Sequence, residues 1–288
     1  MTQQISIAAG PLALSALRAG SPDDPAIVLL HGWPLSSAIW EPVIDALARD
    51  HFVLAFDLPG IGQSQGSSPP VLKTEIADMV ITAALAAGAH DMIVAGVDVG
   101  GMIAFAAARD HGDRIAAVVI MNTIIPGIDP WQETLANPQI WHFAFHQLPD
   151  LPETLVRGHE RKYFDFFLDF LAGDKSKIDE KLRRKLVEAY STPQALKVGF
   201  DWYRAMPKDA EHNALATTIE TPILYLRGDA DGRKIDPYLA GLRKSGAKQV
   251  TGKLIADSGE LLSVEAPDAL VAALNEFAHQ TAPSPALT

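Results

Sequence analysis

Along the first half of the chain, short apolar runs alternate with longer stretches of helical period. Ala26–Leu30 (AIVLL) is apolar at every position, which predicts a strand buried on both faces. Ser37–Arg49 sets Trp40, Ile44 and Leu47 on one side, the spacing of an amphipathic helix. Phe52–Phe56 predicts the next strand, Thr74–Ala87 a helix and Met92–Val97 a third strand. Gly100–Arg109 is rich in alanine and reads as a buried helix, followed by strand pattern at Ile115–Met121. Such β-α alternation predicts an α/β protein with a mostly parallel sheet covered by helices on both faces.

The rhythm then changes. From Ile128 to Thr218 the chain is helical in period, dense in charge, and holds most of the tryptophan, tyrosine and phenylalanine. Strand pattern returns at Pro222–Leu226 (PILYL) and near Val250–Ile255, and a closing helix starts at Pro267. Residues 128–218 are therefore expected to be a helical lid inserted between two strands of one core formed by 1–127 and 219–280. Residues 281–288 are expected to be disordered. No internal repeat is present.

Composition narrows the picture. With 48% hydrophobic and 20% charged residues, the 288-residue chain can bury a sizeable core. A net charge of −11 without a basic cluster argues against a nucleic-acid partner. The absence of cysteine excludes disulfides, thiolate metal sites and a cysteine nucleophile. No basic start leads into an apolar run, and no apolar run nears the roughly 20 residues of a membrane span, so a cytoplasmic protein is expected. Nothing in the pattern encodes an oligomeric state.

The sharpest motif is Gly96-Val97-Asp98-Val99-Gly100-Gly101, between a strand and a helix. A nucleophile elbow needs small residues two before and two after its central residue, because the turn is tight and pushes that residue above the sheet. Here the central residue is aspartate, which as a nucleophile forms an ester with the carbon it attacks. Asp98 could also merely cap the helix. His31-Gly32-Trp33-Pro34 follows the first buried strand, where the Trp33 N–H can pair with the Val99 N–H as an oxyanion site. His31 is expected to hold this loop. The run LPGIGQSQG is glycine-rich, but Gly60, Gly62 and Gly66 are one residue too widely spaced for a dinucleotide loop, and prolines follow. No histidine pair has metal-ligand spacing. Neither a cofactor nor a metal is expected, and the expected partner is a small-molecule substrate.

Taken in order, HGWP, DLPGIGQS (Asp57–Ser64), GVDVGG and VEAP resemble the α/β-hydrolase fold family. The aspartate elbow resembles the epoxide hydrolase and haloalkane or haloacetate dehalogenase branch. The lid segments Trp141–Leu168 and Gly199–Asn213 resemble those of bacterial epoxide hydrolases of the Cif type. In that subgroup a lid histidine and a lid tyrosine donate hydrogen bonds to the epoxide oxygen, and His142 and Tyr203 fall on those motif positions. On the residues alone, Trp141, Phe143, Phe145, Trp202 and Tyr203 could equally form an aromatic lid core. Trp141, Phe145 and Trp202 are nonetheless expected to contact an apolar or aromatic substrate.

One position departs from the family. Its members hydrolyse the ester with a histidine in a loop shaped like Ser258–Pro267, and this chain has Glu260 at that place. The orienting acid of the subgroup follows the sixth strand, where Asn122 stands; Asp229 and Asp231 follow the seventh and could serve instead. Three readings are open. Glu260 is itself the base, with its pKa raised by burial or a neighbouring charge. Alternatively the pocket performs non-hydrolytic ring-opening, cyclisation or rearrangement. As a third possibility, the chain is a catalytically silent ligand-binding relative. His212 and His279 remain unplaced by sequence.

Overall fold

A computed structural model describes residues 1–281. Nine strands form one sheet: β1 (Gln3–Ala9), β2 (Leu12–Ala19), β3 (Ala26–Leu30), β4 (Phe52–Phe56), β5 (Gln65–Gly66), β6 (Ile93–Val97), β7 (Ala117–Met121), β8 (Ile223–Gly228) and β9 (Val250–Ile255). Their spatial order is β1-β2-β4-β3-β6-β7-β8-β9, with β5 beside β2. From β4 to β9 every neighbouring pair is parallel. The runs read as doubly covered strands are so: β3, β4, β6 and β7 are buried at every residue. Helices Lys73–Ala86 and Val99–Asp110 pack on one face of the sheet. Helices Glu41–Leu47 and Pro267–Thr281 pack on the other.

Two features differ from the sequence expectations. An antiparallel hairpin, β1 and β2, turns at Gly10 with φ +61° and extends the sheet at one edge. The stretch Ser37–Arg49 divides into a 3-10 turn, Ser37–Trp40, and a helix, Glu41–Leu47, because Pro42 starts a new helix at its first turn. The closing helix includes Thr281, the last described residue, so position 281 of the expected disordered tail is helical. The disorder expected of 282–288 lies outside the described residues.

Between β7 and β8 every element is helical: Trp131–Leu135, Trp141–Gln147, Leu151–Val156, Glu160–Leu171, Glu180–Ala189 and Pro193–Asn213, with two short 3-10 turns. The 21-residue helix Pro193–Asn213 is capped by Thr192, whose side chain accepts from the Ala195 N–H. It buries Phe200, Trp202, Tyr203 and Met206. Aromatic packing joins these helices to the sheet. The Trp33 ring lies 4.4 Å from His146, 4.9 Å from Phe167 and 5.8 Å from Tyr203, centroid to centroid.

Candidate active site

Asp98 sits at the carboxyl end of β6, at φ +51° and ψ −122°, a strained conformation for a non-glycine residue. The surrounding glycines explain how the turn fits. A Cβ on Gly96 would strike the Gly100 carbonyl, and one on Gly100 would strike the Leu30 carbonyl. A Cβ on Gly32 would meet the Asp98 carboxylate itself. The elbow thus raises Asp98 above the sheet at the first turn of helix Val99–Asp110.

The Trp33 N–H donates to Asp98 Oδ1 at 2.7 Å. His31 sets that loop: its Nε2 accepts from the Leu58 N–H at 3.0 Å, so its Nδ1 donates to the Gly32 carbonyl at 2.8 Å. Burial pushes the Asp98 carboxyl up to about 6, while the Trp33 and Val99 N–H groups and the Lys73 ammonium pull it down. At neutral pH the carboxylate prevails, with one oxygen held by a backbone donor.

Glu260 lines the same cavity, which measures about 200 Å³. Burial first, and the Asp98 charge second, raise its carboxyl well above the usual carboxylate range. Its backbone is clamped from two sides. The Glu260 N–H donates to the Leu171 carbonyl at 2.8 Å, and Asn122 Nδ2 donates to the Glu260 carbonyl at 2.9 Å. Asn122 Oδ1 accepts from the Gly228 N–H at 3.0 Å. Asn122 therefore ties the ends of β7 and β8 to the Glu260 loop through backbone groups. The buried Glu265 fixes the same loop: its carboxylate accepts from the N–H groups of Gly173, Asp174, Gly259 and Leu261.

Tyr203 and His142 line the same cavity, with ring centroids 6.0 Å apart. Burial, then the charges of Asp98 and Glu260, push the Tyr203 hydroxyl well above the usual tyrosine range, so it remains a donor. Burial lowers His142 to about 4, which keeps it neutral.

Asp231 lines the cavity and pairs with Arg227. Asp229 does not line it; exposed to solvent, its Oδ1 accepts from the Asp257 N–H at 2.9 Å and braces a turn. Trp141, Phe145 and Trp202, expected to contact substrate, do not line the cavity either. Trp141 is 44% exposed on the outer surface, because its position on the helix turns it away from His142. Phe145 is four residues further along that helix on the same outer side and packs against Trp141. Trp202 is fully buried, and its carbonyl accepts from Lys73. Phe143, Phe167 and Phe170 line the cavity in their stead, with Arg227 and Arg233. Helical period alone could not say which aromatic faces inward, since both sides of these helices carry aromatic residues. His212 pairs with Asp110 at 3.0 Å, and His279 is exposed on the closing helix; neither lines the cavity.

A sequence profile described as alpha/beta hydrolase fold matches residues 25–267. The chain belongs to the α/β-hydrolase fold family. Within it, the chain is 30% identical over 265 residues to the soluble epoxide hydrolase of Corynebacterium sp. (strain C12), spanning 88% of this chain and 90% of that one. It is also 25% identical over 259 residues to a pimeloyl-acyl-carrier-protein methyl ester esterase of Edwardsiella ictaluri (strain 93-146), spanning 88% and 92%. The crystal structure of Cfl2 from Burkholderia cenocepacia superposes with a TM-score of 0.85 at 27% identity, covering 96% of this chain and 95% of that one. Among the described residues, no helix is long and apolar enough to cross a membrane.

Proposed function

We propose that this α/β-hydrolase is an epoxide hydrolase-like enzyme in which Asp98 attacks a ring carbon and Glu260 carries protons in both steps. One observation carries the reading. A half-buried carboxylate on an elbow has one oxygen held by a backbone N–H and shares its cavity with a buried tyrosine and histidine. An acyl-ester hydrolase needs a hydroxyl or thiol at the elbow, and aspartate there suits attack on carbon. The helices between β7 and β8 act as the lid that keeps water from the reacting atoms.

In the first step an Asp98 oxygen forms the ester bond and the epoxide C–O bond breaks. Tyr203 and His142 hold the departing oxygen by hydrogen bonds, and the protonated Glu260 supplies its proton. Asp98 is then neutral. Burial still raises the Glu260 carboxyl, but the Asp98 charge no longer does, and the Arg227 and Arg233 charges favour the carboxylate form that a base needs. In the second step water attacks the ester carbonyl and gives a proton to Glu260. Collapse passes the remaining proton from the Asp98 carboxyl to the leaving oxygen, which releases a diol. Asp98 ends ionised and Glu260 protonated, as they began.

The test uses styrene oxide and short alkyl epoxides. Wild type is expected to yield diol. Glu260→Gln, which lacks both the acid and the base, is expected to slow ring opening and to hold on Asp98 whatever ester forms, seen as added intact mass that maps to the Asp98 peptide. Wild-type turnover by Glu260→Gln would remove Glu260 from the mechanism. A second reading, ring-opening with rearrangement or cyclisation, is favoured by one feature: among the described residues, His142 is the only histidine that lines the cavity. That reading yields an isomer of the substrate with no water added. Stabilisation by ligand without any product would mark a binding protein.

A further inference from the structure

Arg227, the penultimate residue of β8, is 6% exposed and lines the same cavity as Asp98. A guanidinium taken out of water needs anionic or hydrogen-bonding partners. Here the partnering is incomplete. Arg227 Nη2 pairs with Asp231, and the buried Nε has no partner. Asp231 is itself 42% exposed and also lies 3.5 Å from the Arg233 guanidinium. One half-exposed carboxylate thus pairs with two guanidiniums, both of which line the cavity, and the Glu260 carboxyl that also feels their charges makes no hydrogen bond or ion pair with either. Beneath, the Tyr238 ring holds Arg227 in place, with its guanidinium carbon 5.0 Å from the ring centroid. Of the other cavity acids, Asp98 gives one oxygen to the Trp33 N–H, and Glu260 is held through its backbone.

The distance suits a small bifunctional molecule. Strand β7 lies between β6 and β8, so the backbones at Asp98 and Arg227 are two strand spacings apart, about 10 Å.

We propose that the cavity takes an epoxide that also carries a carboxylate, held by Arg227 and Arg233 while the ring carbon faces Asp98. This rests on the epoxide-opening reading and names its substrate class. The planar fork of Arg227 matches a carboxylate, and Asp231 yields part of its contact to the incoming anion. A neutral epoxide of equal shape enters but forgoes the charged contact.

Binding is tested first, without chemistry. Titration calorimetry compares phenylacetate with phenylacetamide on the full chain. Wild type is expected to bind the acid about tenfold more tightly, the worth of one charge-assisted hydrogen bond. Arg227→Gln and Arg233→Gln should each shrink that preference, and Arg227→Lys should keep part of it. Equal affinities in wild type, or a preference for the amide, overturn the proposal. The wild-type ratio and the rim variant Arg233→Gln do not depend on Arg227→Gln folding. Turnover is then compared for 3-phenylglycidate and styrene oxide, and the acid is expected to show the higher kcat/KM, chiefly through a lower KM. If the acid preference in binding stands but neither epoxide is turned over, the epoxide reading fails and only the anion site survives. If styrene oxide is turned over and no acid preference exists, the carboxylate proposal fails alone.

Discussion

The two sides of the cavity are built by different means. On the nucleophile side, glycines at 32, 96 and 100 leave no room for another backbone path, and Asp98 is fixed by φ/ψ geometry and a backbone donor. On the Glu260 side, position is fixed by side chains that reach backbone groups: Asn122 to the Glu260 carbonyl, and Glu265 to four N–H groups. Geometry fixed by backbone sterics tolerates little change of sequence. A loop held by side-chain clamps keeps its shape whichever side chain stands at its centre. That difference explains how a carboxylate can stand where the family resemblance leads one to expect an imidazole while the loop stays intact.

Five predictions test this contrast. Asp98→Asn should lower epoxide turnover by on the order of 10⁴-fold or more, since it removes the group that forms the bond. The same variant should be more stable than wild type at pH 8, by up to about 3 kcal/mol in thermal or denaturant unfolding. The sign follows from burial, which raises the folded-state pKa to about 6 from the usual 3.8. Between those values the folded state holds more protons than the unfolded one, so wild-type stability falls as pH rises through that window. The gain should vanish near pH 3. Glu260→Gln should lower turnover by roughly 10²- to 10⁴-fold and slow ring opening as well as ester hydrolysis, read by quenched flow.

Tyr203→Phe should lower kcat about 10²-fold, the cost of one preorganised donor, with a smaller change in KM. Smaller still is the pH effect on wild type. Its kcat/KM should fall below a pH of about 6, where Asp98 becomes protonated. A profile flat down to pH 4 would mean that burial does not raise the Asp98 carboxyl.

Much of the frame was legible in the sequence. The parallel strands are continuous apolar runs, and the elbow has an obligate glycine spacing. The hairpin β1–β2 was missed because LALSALRA holds no β-branched residue and the alternation in β1 spans only Ile5-Ser6-Ile7. Asp98, Glu260, Tyr203, His142 and Asp231 do meet in one cavity, whereas Asp229 braces a turn at the surface. The inward choice among aromatics escaped the sequence: Trp141 faces solvent and Phe143 the cavity, two residues apart on one helix. Arg227 gave no signal, because an arginine at a strand end reads as an ordinary solvated charge.

The most direct test of the account is a single turnover of wild-type enzyme, in excess over styrene oxide, in water enriched in ¹⁸O. Asp98 as the ester-forming nucleophile requires that the first diol oxygen come from the protein and that ¹⁸O enter the Asp98 carboxylate. The peptide containing Asp98 should gain 2 Da while the diol stays unlabelled. A labelled diol and an unlabelled peptide would mean that water attacks the epoxide directly, and the covalent role assigned to Asp98 would be wrong.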